Sequence, residues 1–258
     1  MIDSHCHLNY IEKSGTPEQL IENAQNSGVH TILNIGTDIK SSQLSVDFAE
    51  KYNEVYAVVG VHPHDARTVT DDVIGKISDL AELKKVVAIG EIGLDYYRDL
   101  SPRKMQRKVF LQFLELAVNK KKPIVIHTRE AFEDTLEIVK DYARHLPGGV
   151  FHCFPGNIDD ALNVIDLGFV ISVGGIITYK NSKMSAVAKE TPLEKIIIET
   201  DAPFLTPVPY RGKTNQPAYV KYIYEKLADL KEINVVEVEK LVDRTCRKLF
   251  SLVEMFGD

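Results

Sequence analysis

The 258-residue sequence contains no tryptophan, and it lacks the marks of a membrane or secreted protein. No apolar run approaches the roughly 20 residues that a membrane-spanning helix needs. The N-terminal segment has neither a basic nor an apolar leader region, so no secretory signal is predicted. We therefore expect a cytoplasmic protein without membrane association.

Cysteine is also scarce. Cys6, Cys153 and Cys246 are odd in number and form no C-x-x-C pair, which argues against a disulfide framework and a zinc knuckle. A reducing compartment fits this usage. Cys6 and Cys153 each adjoin a histidine. Because neighbouring residues of a strand point to opposite faces, we expect both thiols to pack as buried apolar side chains and not to bind metal.

An excess of positive charge is absent as well. The net charge is −6, so the basic footprint typical of nucleic-acid-binding proteins is missing. A nuclease is not excluded, because bound cations and local lysines and arginines can draw a phosphate to an acidic protein. With 44% hydrophobic and 26% charged residues, the composition is that of a globular protein with one sizeable core. We predict a single domain over residues 1–258.

The sequence does contain a regular alternation of short apolar runs and amphipathic segments. The apolar runs predict strands, because strands of a parallel sheet are covered on both faces. They are the N-terminal run through His7, then 29–36, 55–61, 86–94, 123–128, 150–154, 169–175 and 195–200. Helices are predicted at 17–27, 39–52, 72–83, 102–117, 129–142, 158–167, 184–189, 217–230 and 236–252. Eight β/α units in this length indicate a (β/α)8 TIM barrel, with a doubly wound open sheet as the alternative.

The fourth helix has the clearest start signal. Ser101 suits the N-cap position and Pro102 the first helical position. Apolar residues then follow the 3.6-residue spacing of a helix. We expect this helix to begin at Pro102.

Polar side chains lie at the ends of most predicted strands. They are His5, His7, His62, Glu91, His127, His152 and Asp201. His5 and His7 project together, since residues i and i+2 of a strand share a face. In a barrel, the whole set would converge on the C-terminal mouth, where active sites of this fold lie. Clustered imidazoles and buried carboxylates are costly without partners, so the pattern predicts a metal cluster or a catalytic pocket.

Four of these histidines and both carboxylates form a mixed nitrogen and oxygen set. Such a set suits zinc, manganese or iron better than a magnesium site of oxygen ligands alone. Six ligands are too many for one catalytic ion that keeps an open position. They suit two ions bridged by one carboxylate, and Glu91 is the natural bridge.

Six short motifs carry a resemblance to a known family. They are Asp3-Ser4-His5-Cys6-His7-Leu8, Gly60-Val61-His62-Pro63, Gly90-Glu91-Ile92-Gly93-Leu94-Asp95, Ile126-His127-Thr128-Arg129, His152-Cys153-Phe154 and Glu199-Thr200-Asp201-Ala202-Pro203. With the segment 209–217, they resemble the TatD-type metal-dependent hydrolases, the TatD deoxyribonuclease family within the amidohydrolase-like barrels. The match runs through the chain from end to end.

The resemblance implies a hydrolase that uses two divalent ions, with magnesium, manganese or zinc as candidates. It further implies a 3′ exonuclease that acts on single-stranded DNA. No obligate protein partner is evident. The first ion is expected on His5, His7, Glu91 and Asp201, the second on Glu91, His127 and His152, and His62 is expected to face the substrate.

Our mechanistic hypothesis is hydrolysis of a phosphodiester by a hydroxide bound to metal. Lowering the pKa of water from about 15.7 to about 7 favours the nucleophile by roughly 12 kcal/mol. Glu91 and Asp201 are the predicted catalytic residues, and Asp201 is expected to take the proton of the attacking water. His62 either contacts the phosphate or leaving group or simply caps the strand before Pro63. Arg129 and Arg211 are candidate phosphate contacts, since planar donors suit that geometry.

Two further carboxylates are predicted to point to the same face of their strands as the ligands. Asp3 and Glu199 lie deeper, where they either orient ligand histidines or accept hydrogen bonds in the core. No platform for base stacking is evident. Tyr96, Tyr97, Tyr179 and Tyr210 are candidate stacking residues.

Two other functions use the same fold. A deacylase or amidohydrolase would cleave an ester or C–N bond with the same two ions, and substrate screening separates it from a nuclease. An inactive binding protein would have lost a ligand position, and none is lost.

Overall fold

Eight parallel strands form the barrel in a computed structural model of the protein, which describes residues 1–10 and 15–252. Each strand pairs in parallel with the next in chain order, from β1 to β8. The strands are β1 (Ile2–Cys6), β2 (Thr31–Ile35), β3 (Val55–Val59), β4 (Val86–Asp95), β5 (Ile124–Arg129), β6 (Gly149–Phe151), β7 (Val170–Val173) and β8 (Ile196–Ile198). The predicted (β/α)8 barrel is confirmed. The single-domain prediction also spans residues 11–14 and 253–258, which lie outside the described residues.

Helices cover the outside of the barrel. They are α1 (Pro17–Asn26), α2 (Ile39–Lys51), α3 (Asp71–Leu80), α4 (Arg103–Lys120), α5 (Phe132–Tyr142), α6 (Ile158–Asp166), α7 (Lys183–Glu190), α8 (Val220–Lys231) and α9 (Val235–Phe250). None of the helices in the described part of the chain combines the length and apolarity needed to cross a bilayer.

Hydrogen bonds between the first and last strands close the barrel. The Asp201 N–H donates to the His5 carbonyl at 2.9 Å, and the His7 N–H donates to the Ala202 carbonyl at 2.8 Å. Asp3 completes this seam, because its buried carboxylate accepts from the Thr200 N–H at 2.8 Å and from the Thr200 hydroxyl at 2.6 Å. Asp3 is therefore an acceptor that joins the two ends of the sheet, and it also accepts from the backbone N–H of His5 at 3.4 Å.

Replacing Asp3 with alanine is expected to lower the free energy of unfolding by about 3 kcal/mol, since the buried Thr200 N–H and hydroxyl lose their acceptor. Urea denaturation of the two proteins measures the difference. Asp141→Ala, on an exposed position of α5, is the matched control and should change stability by less than about 0.5 kcal/mol. Equal stability of the Asp3 variant and the parent would contradict this role for the seam.

The inward-facing side chains of the strands form both the apolar core of the barrel and the polar site at its mouth. Val125 and Val150 belong to a buried apolar layer that also receives Cys246 and Phe250 of α9. Two residues beyond these valines, on the same face, the chain carries His127 and His152. The apolar layer thus fills the lower barrel, and polar residues begin where it ends.

The predicted starts of α4, α5 and α8 are wrong. The α8 helix begins at Val220 and not at Pro217, because residues Pro217–Tyr219 form a 3-10 turn. The α4 helix begins at Arg103 with Pro102 at its N-cap, and Ser101 does not cap it. The Ser101 hydroxyl instead donates to the His64 carbonyl at 2.7 Å and accepts from the Arg67 N–H at 3.1 Å. The α5 helix begins at Phe132 and not at Arg129, because β5 continues through Arg129.

Candidate metal centre

A cavity of about 1400 Å³ opens at the C-terminal mouth of the barrel. The structure brings all six predicted ligands together at its base. His5 lies deepest, with 1% of the residue exposed. The other five line the cavity and are His7, Glu91, His127, His152 and Asp201.

Glu91 lies at the centre of this cluster, and its two carboxylate oxygens face different sets of histidines. Oε2 lies 3.4 Å from His5 Nε2 and 3.8 Å from His7 Nε2. Oε1 lies 2.7 Å from His127 Nδ1 and 3.2 Å from His152 Nε2. One carboxylate therefore joins two groups of nitrogen donors.

Asp201 completes the group around Oε2. Its Oδ1 lies 3.8 Å from His5 Nε2 and 3.6 Å from His7 Nε2, and the two histidine Nε2 atoms are 3.3 Å apart. Donor atoms that share a tetrahedral ion at about 2.1 Å are about 3.4 Å from one another. The spacing of these side chains fits a common divalent ion.

Hydrogen bonds at the outer ring nitrogens indicate which way the lone pairs point. His7 Nδ1 is 3.2 Å from the Ile35 carbonyl, which can only accept, so this nitrogen carries the proton. His152 Nδ1 and His127 Nε2 each face a carboxylate in the same way. The remaining nitrogen of each ring directs its lone pair toward Glu91 or Asp201. Positive charge between these nitrogens and the carboxylates stabilises the arrangement, and either a ring proton or a divalent ion can supply it.

Electrostatics of the cluster point to the same need for positive charge. Burial by itself would raise the pKa of Glu91, but the charges of His152 and His62 hold it well below its usual range. Burial would likewise lower the pKa of His152, but Glu199 and Glu91 raise it well above its ordinary value. A carboxylate this firmly ionised, amid imidazoles that attract protons, is suited to binding a metal ion.

His62 differs from the other histidines because its Nδ1 already accepts the His64 N–H at 3.1 Å. The proton of the neutral ring therefore resides on Nε2, which lies 3.5 Å from Glu91 Oε1. Burial and the charge of His127 lower the pKa of His62 well below its ordinary value, which keeps the ring neutral. His62 caps the 3-10 helix Pro63–Thr68 that follows it and lines the cavity, and its contact with the substrate stays a prediction.

Asp95 and His64 form a connected pair whose role the sequence did not reveal. Asp95 Oδ2 lies 3.2 Å from His127 Nε2 and 2.8 Å from His64 Nε2, and its Oδ1 accepts from the Arg98 N–H at 2.7 Å. Asp95 follows Glu91 by four residues on β4, so strand parity was the signal that places it on the ligand face. It fixes the orientation of the His127 ring.

Glu199 orients His152, which agrees with one of the two sequence-based interpretations of this carboxylate. Its Oε1 lies 3.2 Å from His152 Nδ1 and accepts from the Cys153 N–H at 2.8 Å. Glu199→Gln is expected to weaken metal binding about 10- to 100-fold, because the neutral amide makes a poorer partner for the imidazole N–H. Competition with a chelator measures the metal affinity.

The exposed Glu194, replaced in the same way, is the control for the Glu199 experiment and should leave the affinity unchanged. An unaltered affinity in Glu199→Gln would show that His152 does not depend on this carboxylate.

Gly93 allows β4 and β5 to approach closely enough to assemble the cluster. It has a φ of +143°, and a Cβ atom there would lie 2.0 Å from the His127 carbonyl oxygen. A larger residue would force β5 and its ligand His127 away from Glu91. This requirement explains the glycine at the end of the Gly90-Glu91-Ile92-Gly93 motif.

Both predicted phosphate contacts line the cavity, each against a tyrosine ring. The guanidinium of Arg129 lies 3.8 Å from the ring centroid of Tyr97, and that of Arg211 lies 4.3 Å from Tyr179. Their contact with phosphate stays a prediction.

The prediction that the cysteines pack as buried apolar side chains is confirmed for Cys6, which is fully buried, but is wrong for Cys153. Strand β6 ends at Phe151, so Cys153 lies in a turn with a φ of +43° and borders the cavity.

Comparison with known proteins shows which family the chain resembles. The sequence profile described as TatD related DNase matches residues 2–251. An uncharacterized metal-dependent hydrolase of Bacillus subtilis is 40% identical over 253 residues, covering 98% of this chain and 99% of that protein. A Pantoea ananatis protein named 3′-5′ ssDNA/RNA exonuclease TatD is 32% identical over 260 residues, covering 98% and 100%. The crystal structure of a TatD homolog from Escherichia coli K12 has a TM-score of 0.91 at 30% identity and covers 98% of each chain.

Proposed function

The chain belongs to the TatD-related DNases and is a metal-dependent hydrolase, and from this premise we propose that it is a deoxyribonuclease. It removes nucleotides from the 3′ end of single-stranded DNA by hydrolysing phosphodiester bonds, with two divalent ions as cofactors. The observation that carries the proposal is the arrangement of Glu91, whose two oxygens face separate groups of donors. A carboxylate between two ions is typical of sites that hold both the attacking and the leaving oxygen of a phosphodiester.

The ligand assignment follows the two sides of this carboxylate. Bound divalent ions would supply Lewis acidity to the attacking water and to the phosphoryl oxygens. Magnesium, manganese and zinc are the candidate ions. One site comprises His5, His7, Asp201 and Glu91, and the other comprises His127, His152 and Glu91.

Asp201 and His62 handle protons in this mechanism. Asp201 has a side chain that is 13% exposed and borders the cavity, so its carboxylate can receive a proton from the attacking water. His62 lines the cavity with its Nε2–H near Glu91, and in this mechanism that group donates to a phosphate oxygen or to the leaving oxygen. Arg129 and Arg211 bind neighbouring phosphates, since both line the cavity and each guanidinium packs over a tyrosine ring.

A deacylase is the second candidate, and one feature of the cavity favours it. The wall formed by the loops after β6 and β7 and by α7 includes Phe154, Ile158, Ile176, Met184 and Val187. Such an apolar wall suits an acyl chain or an aromatic acyl group as well as a nucleobase. Esters and amides with apolar acyl groups therefore belong in the same substrate screen.

Degradation of an end-labelled single-stranded oligonucleotide tests the proposed function. The protein is stripped with a chelator, reconstituted separately with magnesium, manganese or zinc, and incubated with 5′-labelled and 3′-labelled DNA. We expect a ladder from the 5′-labelled strand and immediate release of label from the 3′-labelled strand, both only with metal. Intact DNA together with cleavage of an acyl substrate would replace the nuclease by the deacylase.

A further inference from the structure

Two exposed aromatic side chains lie beside the metal cluster, at positions that the sequence did not single out. Tyr10 is 46% exposed and Phe204 is 53% exposed, and both line the cavity. Each contacts the ring of His7: the Tyr10 ring stacks on it with centroids 5.4 Å apart, and the Phe204 ring meets it edge-on at 6.3 Å. Large aromatic surface left open beside a polar centre indicates a ligand that covers it.

Both aromatic residues are held in place by hydrogen bonds. The Tyr10 N–H donates to the His7 carbonyl at 3.0 Å, and the Tyr10 hydroxyl hydrogen-bonds Thr37 Oγ1. The Phe204 N–H donates to the Asp201 carbonyl at 2.8 Å, and the Phe204 carbonyl accepts from Asn215 Nδ2 at 2.6 Å. The backbone that presents each aromatic ring therefore also presents a predicted metal ligand. A residue whose backbone is fixed in this way loses less conformational entropy when a ligand binds to its side chain.

The tyrosines suggested by the sequence are less suitable. Tyr96, Tyr97 and Tyr210 are not among the residues that line the cavity. One face of Tyr97 is covered by Arg129, and Tyr210 stacks on Tyr219 with centroids 4.4 Å apart. Tyr179 lines the cavity, but it is less exposed than Tyr10 and Phe204, and its ring packs against Arg211 and not against a ligand histidine.

We propose that Tyr10 and Phe204 form a stacking subsite for the terminal nucleobase of the substrate. This inference rests on the proposed nuclease function and adds to it a determinant of single-strand selectivity. A base stacks on a protein ring only when its own faces are free, so a base at an unpaired end enters this subsite while a base stacked within a duplex does not. Stacking beside His7 also fixes the terminal sugar and phosphate over the metal cluster.

Binding of mononucleotides to the metal-loaded protein tests the subsite without relying on turnover. The probes are deoxyadenosine 5′-monophosphate and deoxyribose 5-phosphate, which differ only in the base. Phe204→Leu and Tyr10→Leu are each expected to weaken binding of the nucleotide about 10-fold and to leave the sugar phosphate unchanged. Phe204→Trp should retain or strengthen nucleotide binding, which shows that a flat aromatic surface is the property required.

The control is Leu162→Ala on α6, a position that is 46% exposed and should affect neither probe. Equal weakening of both probes in Phe204→Leu, or failure of the Phe204→Trp variant to bind the nucleotide, would overturn the subsite, because either outcome marks a packing role beside His7. A wild-type protein that binds both probes with the same affinity would overturn it directly.

Oligonucleotides with and without a terminal base separate this inference from the proposed function. If the protein degrades DNA but removes a terminal abasic sugar as fast as a complete nucleotide, the nuclease stands and the subsite is wrong. If the nucleotide binds in preference to the sugar phosphate but no DNA is degraded, the subsite stands and the nuclease is wrong.

Discussion

Replacing Glu91 with glutamine is expected to lower kcat about 1000-fold or more and to remove most of the bound metal. The glutamine side chain has nearly the same shape, so the histidines keep their positions while the central negative charge is lost. That charge faces His5 and His7 through one oxygen and His127 and His152 through the other. A 1000-fold loss corresponds to about 4 kcal/mol of transition-state stabilisation, a reasonable share for a carboxylate that serves both ions.

Metal content by mass spectrometry and steady-state kinetics measure the two effects of this change together. Glu22→Gln, on an exposed position of α1 away from the cavity, makes the same chemical change and should retain both metal and activity. Thermal unfolding in the presence of chelator checks that the Glu91 variant is folded. A folded variant that still binds two equivalents of metal would refute the bridging role of Glu91.

Asp201→Asn is expected to lower kcat about 100- to 10,000-fold, the range found when a positioned acid or base is lost. Asparagine cannot take a proton from the attacking water, although it still offers an oxygen toward His5 and His7. The backbone of residue 201 closes the seam with the His5 carbonyl, and this bond does not depend on the side chain. The fold should therefore survive the change.

The metal content of the Asp201→Asn variant distinguishes a role of this carboxylate as a base from a role as a metal ligand alone. A variant that retains both ions but not turnover supports the role of the carboxylate as a base, whereas loss of one ion supports a role as ligand alone. Asp65→Asn, also at the mouth, is the control for replacing a carboxylate with an amide there. Activity equal to the parent protein in Asp201→Asn would rule out both roles.

Strand parity explains why the sequence was informative about the ligands. A β/α barrel imposes a period of two on every strand, and all strands run in the same direction, so a polar residue after a short apolar run has a foreseeable position. His127 and His152 follow Val125 and Val150 by two residues and project from the same inward face. Their convergence on Glu91 needed only the correct order of strands.

Hydrogen bonds between distant segments could not be predicted in this way. Ser101 has the local signature of a helix cap, but its hydroxyl bonds to the backbone at Arg67 and His64, more than 30 residues earlier. That competition is invisible in a local pattern, because it depends on how the segment after β3 packs against the start of α4. The orientation of His127 by Asp95 has the same origin.

The sequence by itself determined the alternation of strands and helices, the inward face of each strand and the residues able to bind metal. These properties are set by periodicity and side-chain chemistry within a few residues. Only the tertiary structure decided that Asp3 joins the two ends of the sheet, that Glu91 divides its oxygens between two groups of histidines, and that Tyr10 and Phe204 meet at His7. Apart from the local stacking of Tyr10 on His7, these contacts join segments far apart in the chain, so they exist only once the strands have assembled into the barrel.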